Sequence, residues 1–319
     1  FDMVTGTQRV VENNPKVAQA IDKTTRDSNF KKWFSGSKVV DYNDDPKVLY
    51  HGTTHDFTEF TMDRANPENY HGRGFYFSDN IKDVNRNYGT TEGADLTNRI
   101  ERRAEEIAQE LDLEYDDDKV IRQAREELMG DAPSVMPVYV SMKKPAIIGG
   151  ENEEWLEFRY FDDEGEYLDE AEGEGAELFD ALLEAIESNA YDSESANQII
   201  GEVQEQLGEE FTLKQFEDVL RANKEFSYLE DDMGRLITHE IIGDTYSNAG
   251  YDGIIFHNAE EQFSNMGMDK DTTHYIVFQP NNIKSVNNSG AFSKDGNILK
   301  GALTIPAVGL TTASQKEEQ

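Results

Sequence analysis

Two short apolar runs that end abruptly in small and polar residues dominate the first third of the chain. Val48, Leu49 and Tyr50 lead into His51, Gly52 and Thr53, and Phe75, Tyr76 and Phe77 lead into Ser78 and Asp79. Aliphatic and aromatic runs of this length, bounded by glycine and polar residues, read as buried strands. A polar loop over 61–70 lies between them, and the polar stretch from Asn80 to Asn87, closed by Tyr88, is long enough for one short helix. Upstream, Val10, Val11, Val17, Ala18 and Ile21 recur at roughly helical spacing, followed by Phe30, Trp33 and Phe34. That pattern predicts a helical arm over 1–36, either packed on the main sheet or serving substrate recognition.

From 95 to 129 the pattern is helical and highly charged, with Ile100, Ile107, Leu111 and Leu113 as an apolar stripe and Val120, Ile121 and Leu128 opening a second one. Alternation over 135–142 predicts a strand that stops at Pro145. Leu178, Phe179, Leu182, Leu183 and Ile186 share one helical face, as do Phe211, Phe216, Val219 and Leu220. A further helix is predicted over 236–248, a turn at Gly250–Gly253, and strands at 254–256 and 273–279. Past Gly301 the chain turns to Ser, Thr, Gln and Glu, which predicts a mobile tail over 301–319.

Charge changes this picture most. The formal net charge is −35 over 319 residues, the wrong sign for tracking duplex phosphates, so direct binding to double-stranded nucleic acid is not expected. Residues 151–235 hold 28 acids against 5 bases. Because they keep clean apolar faces, the reading is a folded, acidic helical insert between core segments at 37–150 and 236–300. Its exterior is either a solvated face or a surface for a basic partner. The chain has no cysteine, which excludes disulfides and thiolate metal sites. No apolar run approaches the roughly 20 residues that span a bilayer, so no membrane association is expected. The first residue is Phe1 rather than methionine, which suggests a processed product or a piece of something longer.

Most motif-like fragments fail on chemistry. Gly72-Arg73-Gly74 lacks a third glycine and precedes a strand, and Gly173-Glu174-Gly175 sits in an acidic run, so neither is a dinucleotide fingerprint. His239-Glu240 starts like a zinc-protease helix, but Gly243 stands where the second ligand belongs. The aspartates near Asp116 and Asp269 lack calcium-loop spacing; no metal is expected. Taken alone, His51 reads as a structural histidine and Tyr76 as core. Their joint order is more informative: Tyr50-His51-Gly52-Thr53, then Gly72-Arg73-Gly74-Phe75-Tyr76-Phe77-Ser78-Asp79, then Tyr88. A histidine, a bare glycine backbone and two tyrosines suit a flat aromatic amide with an attached sugar.

These two blocks resemble the first signature strands of ADP-ribosyltransferases of the diphtheria-toxin and poly-ADP-ribose-polymerase type. Phe30-Lys31-Lys32-Trp33-Phe34 into Ser37-Lys38-Val39-Val40, and His274-Tyr275-Ile276-Val277-Phe278-Gln279-Pro280 leading to Ile283-Lys284-Ser285, narrow the resemblance to the transferase domain of phage and mobile-element polyvalent proteins. The match spans roughly residues 30 to 300 and is dense only at its ends. It implies an α+β fold, a split antiparallel β core with flanking helices, and NAD as co-substrate. By the same resemblance His51 holds a ribose hydroxyl, Gly52 pairs with the nicotinamide amide, Thr53 sits beside that ribose, Tyr76 and Tyr88 stack on the nicotinamide, and Ser78 lines the pocket.

One position departs. Where the wider family begins its last signature strand with a glutamate, this chain has His274, and a neutral imidazole does not offset cationic charge as a carboxylate does. Gln279 or Asn282 is the alternative for the third catalytic role. The expectation is a mono-ADP-ribosyltransferase that releases nicotinamide and modifies a macromolecule, chiefly a protein of a bacterial host. It would act in the host cytoplasm, delivered with a phage particle. The alternatives are a degenerate transferase whose acidic insert titrates a basic factor, and an NAD glycohydrolase.

Overall fold

The computed structural model describes residues 15–130, 132–151, 153–161, 167–189, 192–231 and 234–288, with Phe292, Ile298 and 305–306. The start of the expected arm, with Val10 and Val11, and nearly all of the expected tail lie outside the described residues. In chain order come α1 (Pro15–Arg26), α2 (Ser28–Phe34), β1 (Leu49–Thr53), β2 (Phe75–Ser78), α3 (Ile81–Asn87), α4 (Ala94–Leu111), α5 (Asp118–Leu128), β3 (Ser134–Val140) and β4 (Pro145–Ile148). The acidic stretch then gives β5 (Trp155–Glu157), β6 (Arg159–Phe161), β7 (Tyr167–Glu172), α6 (Glu174–Ser188), α7 (Ser193–Leu207), β8 (Glu210–Thr212), α8 (Leu213–Ala222) and α9 (Lys224–Ser227). The chain closes with α10 (Thr238–Asn248), β9 (Gly253–Phe256), α11 (Ala259–Gln262), β10 (His274–Val277), β11 (Ile283–Ser285) and β12 (Ile305–Pro306).

The main sheet runs β11-β3-β1-β2-β10-β9-β4, with β12 also on β3. It is antiparallel except where β4 pairs with β9. Residues directly opposite share a face, so Tyr76 and Ser78 lie with Ile276 and His274 on one side, and Phe75 and Phe77 with Val277 and Tyr275 on the other. The sheet is split near its middle. β1 follows β3 from Leu49↔Val138 to Thr53↔Ser134, and β2 follows β10 along its length. Between β1 and β2 the described pairing is the single Tyr50↔Ser78. Beyond that point the two strands part, leaving His51, Gly52, Tyr76 and Phe75 at the edges of a gap.

Apolar packing covers both faces. Phe30 and Phe34 of α2 join Val48, Tyr50, Val84, Tyr139 and Val286 in one cluster, so the described part of the arm is core, held also by the Trp33 indole donating to the Asn281 carbonyl. Asp27 caps α2 by accepting from Asn29 and Phe30. The acidic stretch is not wholly helical, since β5 pairs with β8 and β6 with β7. Nor does it stand apart: Leu178, Phe179, Phe216 and Leu220 pack in the same cluster as Ile242, Tyr246, Ile254 and Ile276. Burying that face against the sheet compensates for a strongly charged exterior. The expected stripe on α4 ends early. Asp112 turns left-handed at φ 55°, so Leu113 leaves the helix face, and Leu111 and Leu113 are exposed. Leu96, Ile100, Ala104, Ile107 and Ala108 pack on Val120 and Ala124 instead.

Candidate functional site

The gap between β1 and β2 opens into a cavity of about 710 Å³, lined by His51, Gly52, Thr53, Tyr76, Ser78, Tyr88 and His274 among others. This size suits a dinucleotide-sized or smaller ligand. His51 stands on β1 one residue past the last pairing with β2, and its side chain spans the gap: Nδ1 lies 2.8 Å from the Tyr76 carbonyl oxygen. A carbonyl only accepts, so Nδ1 carries the proton and Nε2 keeps its lone pair. The ring is wedged against Phe57, Phe60 and Phe77, and that burial pushes its pKa down from 6.5. The imidazole is therefore neutral at pH 7, an acceptor fixed in place.

Tyr76 reaches the cavity from β2. Its hydroxyl donates to the Gly72 carbonyl (3.0 Å) and accepts from the His71 N–H (3.1 Å). Burial drives its pKa up, so it stays a phenol. Tyr88 ends α3, whose start is capped by Asn80 accepting from Lys82 and Asp83. The Tyr88 ring meets His274 edge-on at 6.2 Å, and His274 stacks on Phe263 at 5.8 Å. The Ser78 hydroxyl accepts from the Asn80 N–H. The Thr53 hydroxyl is engaged in a local turn with His55.

Gly52 has a reason for being glycine that the sequence does not display. A Cβ there would lie 2.6 Å from the Tyr88 Cβ and 2.7 Å from the Gly89 nitrogen. The end of α3 rests directly on the β1 backbone. Gly52→Ala must displace Tyr88, and the expected result is a loss of about 1–3 kcal/mol in urea unfolding, together with weakened ligand binding at the cavity.

Gln279 stands elsewhere. It is exposed and begins a 3-10 turn past the far end of β10, while His274 lines the cavity from the strand's first position. Asn282 likewise lies past β10, as the last residue of that turn, its carbonyl accepting from the Ser141 N–H. Neither is among the cavity-lining residues. Gln279→Ala is expected to leave any cavity-borne activity within twofold of wild type, checked by steady-state turnover.

Several groups in the cavity wall and behind it escape a sequence reading. Asp83, buried behind His274, places Oδ2 3.4 Å from His274 Nε2 while its Oδ1 accepts from the Asn87 amide at 2.6 Å. Asp95, in the first turn of α4, lines the cavity with its pKa raised by burial despite Arg99 and Arg102. Arg64, Arg99 and Arg102 also line the cavity, Arg99 paired with Asp95 and Arg102 with Glu68. Behind Tyr76, Glu217 of α8 is buried with Oε1 3.2 Å from His71 Nε2 and 3.0 Å from the Tyr246 hydroxyl, and Oε2 3.1 Å from Arg221. Arg221 stacks on Tyr70 at 3.8 Å and donates to its carbonyl. The legible sign was an i,i+4 Glu–Arg pair set beside Phe216 and Leu220 on one helix.

A split sheet with histidine and tyrosine on facing strand edges agrees with sequence comparison. The profile of the family described as ADP-Ribosyltransferase in polyvalent proteins matches residues 41–292. The chain belongs to this family. No curated protein and no solved structure matched the chain. The ADP-ribosyltransferase assignment covers the whole split sheet except β12, and it includes the acidic stretch, which is thus part of the matched domain. Domains of this kind use NAD as co-substrate. No group of three or more metal-ligating side chains occurs among the described residues, and no helix among them is long and apolar enough to cross a membrane.

Proposed function

We propose that this ADP-ribosyltransferase cleaves NAD and moves a single ADP-ribose unit onto a macromolecular acceptor, a protein of a bacterial host. The observation that carries this reading is the convergence of His51, Gly52, Tyr76, Tyr88 and His274 on one cavity at the split between β1 and β2. The Nε2 lone pair of His51 accepts from a ribose hydroxyl. The Gly52 backbone, free of a side chain, pairs with the carboxamide, and the two phenols flank the nicotinamide ring. Arg99 and Arg102 suit the diphosphate.

In the reaction the bond from ribose C1′ to the nicotinamide nitrogen breaks, and its electron pair stays on that nitrogen, neutralising the pyridinium. The positive charge left on the sugar is taken up by a lone pair of the acceptor, whose proton passes to water. Holding the sugar and the leaving group in line is the main task of the site, and orientation of this kind supplies a large share of the barrier reduction. The test is incubation with NAD labelled in the adenylate half, alone and with bacterial lysate. Label on macromolecules with free nicotinamide supports the proposal. Free ADP-ribose as sole product would make the protein a glycohydrolase, and intact NAD would exclude both.

A further inference from the structure

His274 raises a chemical problem at the site just proposed. Breaking a glycosidic bond to a pyridinium leaves cationic charge on the sugar, and a neutral imidazole supplies no compensating charge. The structure places a carboxylate directly behind it. Asp83 is buried, its side chain fully shielded, and it is not among the residues lining the cavity. Both of its oxygens are occupied: Oδ1 by the Asn87 amide and Oδ2 by the imidazole. The Asn87 amide engages Oδ1 and leaves Oδ2 to face the imidazole, the arrangement in which a carboxylate accepts from an Nε2–H and leaves the ring lone pair at Nδ1. Phe263 stacked on one side and the Tyr88 edge nearby keep the imidazole from swinging away.

We propose that Asp83 is a positioning residue for His274, holding the imidazole as the Nε2–H tautomer so that the pair acts as one singly negative unit whose Nδ1 accepts from the nicotinamide ribose. The aspartate sets the ring orientation and places its charge one ring-width behind the acceptor. This is the service a buried carboxylate gives a histidine in hydrolytic triads, where the carboxylate stays ionised and the tautomer is fixed. No proton is transferred in this role; the lone pair of Nδ1 only polarises the sugar hydroxyl, and the electron pair of the breaking bond leaves with nicotinamide as before. Asp83 lies 191 residues from His274 in sequence, on the short helix that also delivers Tyr88. One helix thereby supplies both a ring for the nicotinamide and the charge for the third position.

The inference rests on the NAD-cleaving reading, and the experiment separates the two. Nicotinamide release is measured for wild type, Asp83→Asn, His274→Glu and the double variant, alongside nitrogen-15 NMR of the His274 ring. The expected results are a protonated Nε2 with unprotonated Nδ1 in wild type, a roughly 100-fold or greater fall in kcat for Asp83→Asn, and a KM for NAD within threefold. His274→Glu alone sets two carboxylates together and is expected to be impaired, while His274→Glu with Asp83→Asn recovers to within tenfold of wild type. That recovery is one a merely structural aspartate would not give, and it stands even if Asp83→Asn alone folds poorly. Wild-type turnover in Asp83→Asn, a double variant no better than His274→Glu, or a protonated Nδ1 in wild type would overturn the proposal. Should wild type leave NAD intact, the transferase reading falls, and the ring tautomer still decides whether Asp83 governs His274.

Discussion

Replacing His51 with alanine is expected to lower nicotinamide release from NAD by about 10²–10³-fold, the loss that follows when a fixed polar contact to the reacting sugar disappears. The effect is expected mainly on kcat, since in the proposed role the imidazole orients the ribose rather than anchoring the whole dinucleotide. His51 also bridges the gap in the sheet through the Tyr76 carbonyl, so its removal leaves a carbonyl without its partner and costs about 1–3 kcal/mol of stability. Urea unfolding beside the kinetic measurement separates the two effects. The wild-type pH profile carries a second signature. The Nε2 lone pair is present while the ring is neutral, and burial holds the folded pKa below 6.5. Turnover is therefore expected to be flat around pH 7 and to fall only below the ordinary histidine range, as the ring protonates. A variant within threefold of wild type, or an acid limb above pH 6.5, would contradict the assigned role.

The largest stability effect is expected at Glu217→Ala. The Glu217 carboxylate is buried, and burial alone pushes its pKa up. The neighbouring His71 and Arg221, with the hydrogen bond from the Tyr246 hydroxyl, outweigh that and hold it at about 2. Removing it strands Arg221 and His71 in the interior, and breaking a buried pair in this way costs about 3–5 kcal/mol. The sign with pH follows from the depressed value. The folded state holds this group ionised where the unfolded chain, near 4.5, takes up a proton. Its stabilisation is thus complete above about pH 4.5 and is lost as pH falls toward 2. Urea titrations at pH 7 and pH 3 should show the gap between wild type and Glu217→Ala narrowing at the lower pH; a constant gap would contradict the account. Catalysis should respond too. Glu217 and Arg221 grip Tyr70 and His71, and His71 and Gly72 hold the Tyr76 hydroxyl. The acidic stretch is thereby wired to a residue that lines the cavity.

Much of this protein is written locally in its sequence. The strands at 49–53, 75–78 and 274–277, the short helix ending at Tyr88 and the helical faces of the acidic stretch follow from side-chain periodicity, a property of near neighbours. The ordered block around His51, Gly52 and Tyr76 marked the cavity for the same reason, because one strand end carries its chemistry in consecutive residues. Composition fixed the sign of the exterior.

Tertiary structure alone decided the rest. It parted β1 from β2 after one pairing, put Gly52 against Tyr88, left Gln279 on the surface, and brought Asp83 to His274 and Glu217 to His71. Hydrogen bonds and ion pairs act over about 3 Å and are indifferent to how much chain lies between the partners. Such pairs leave no periodic trace along the sequence and exist only once the sheet has closed.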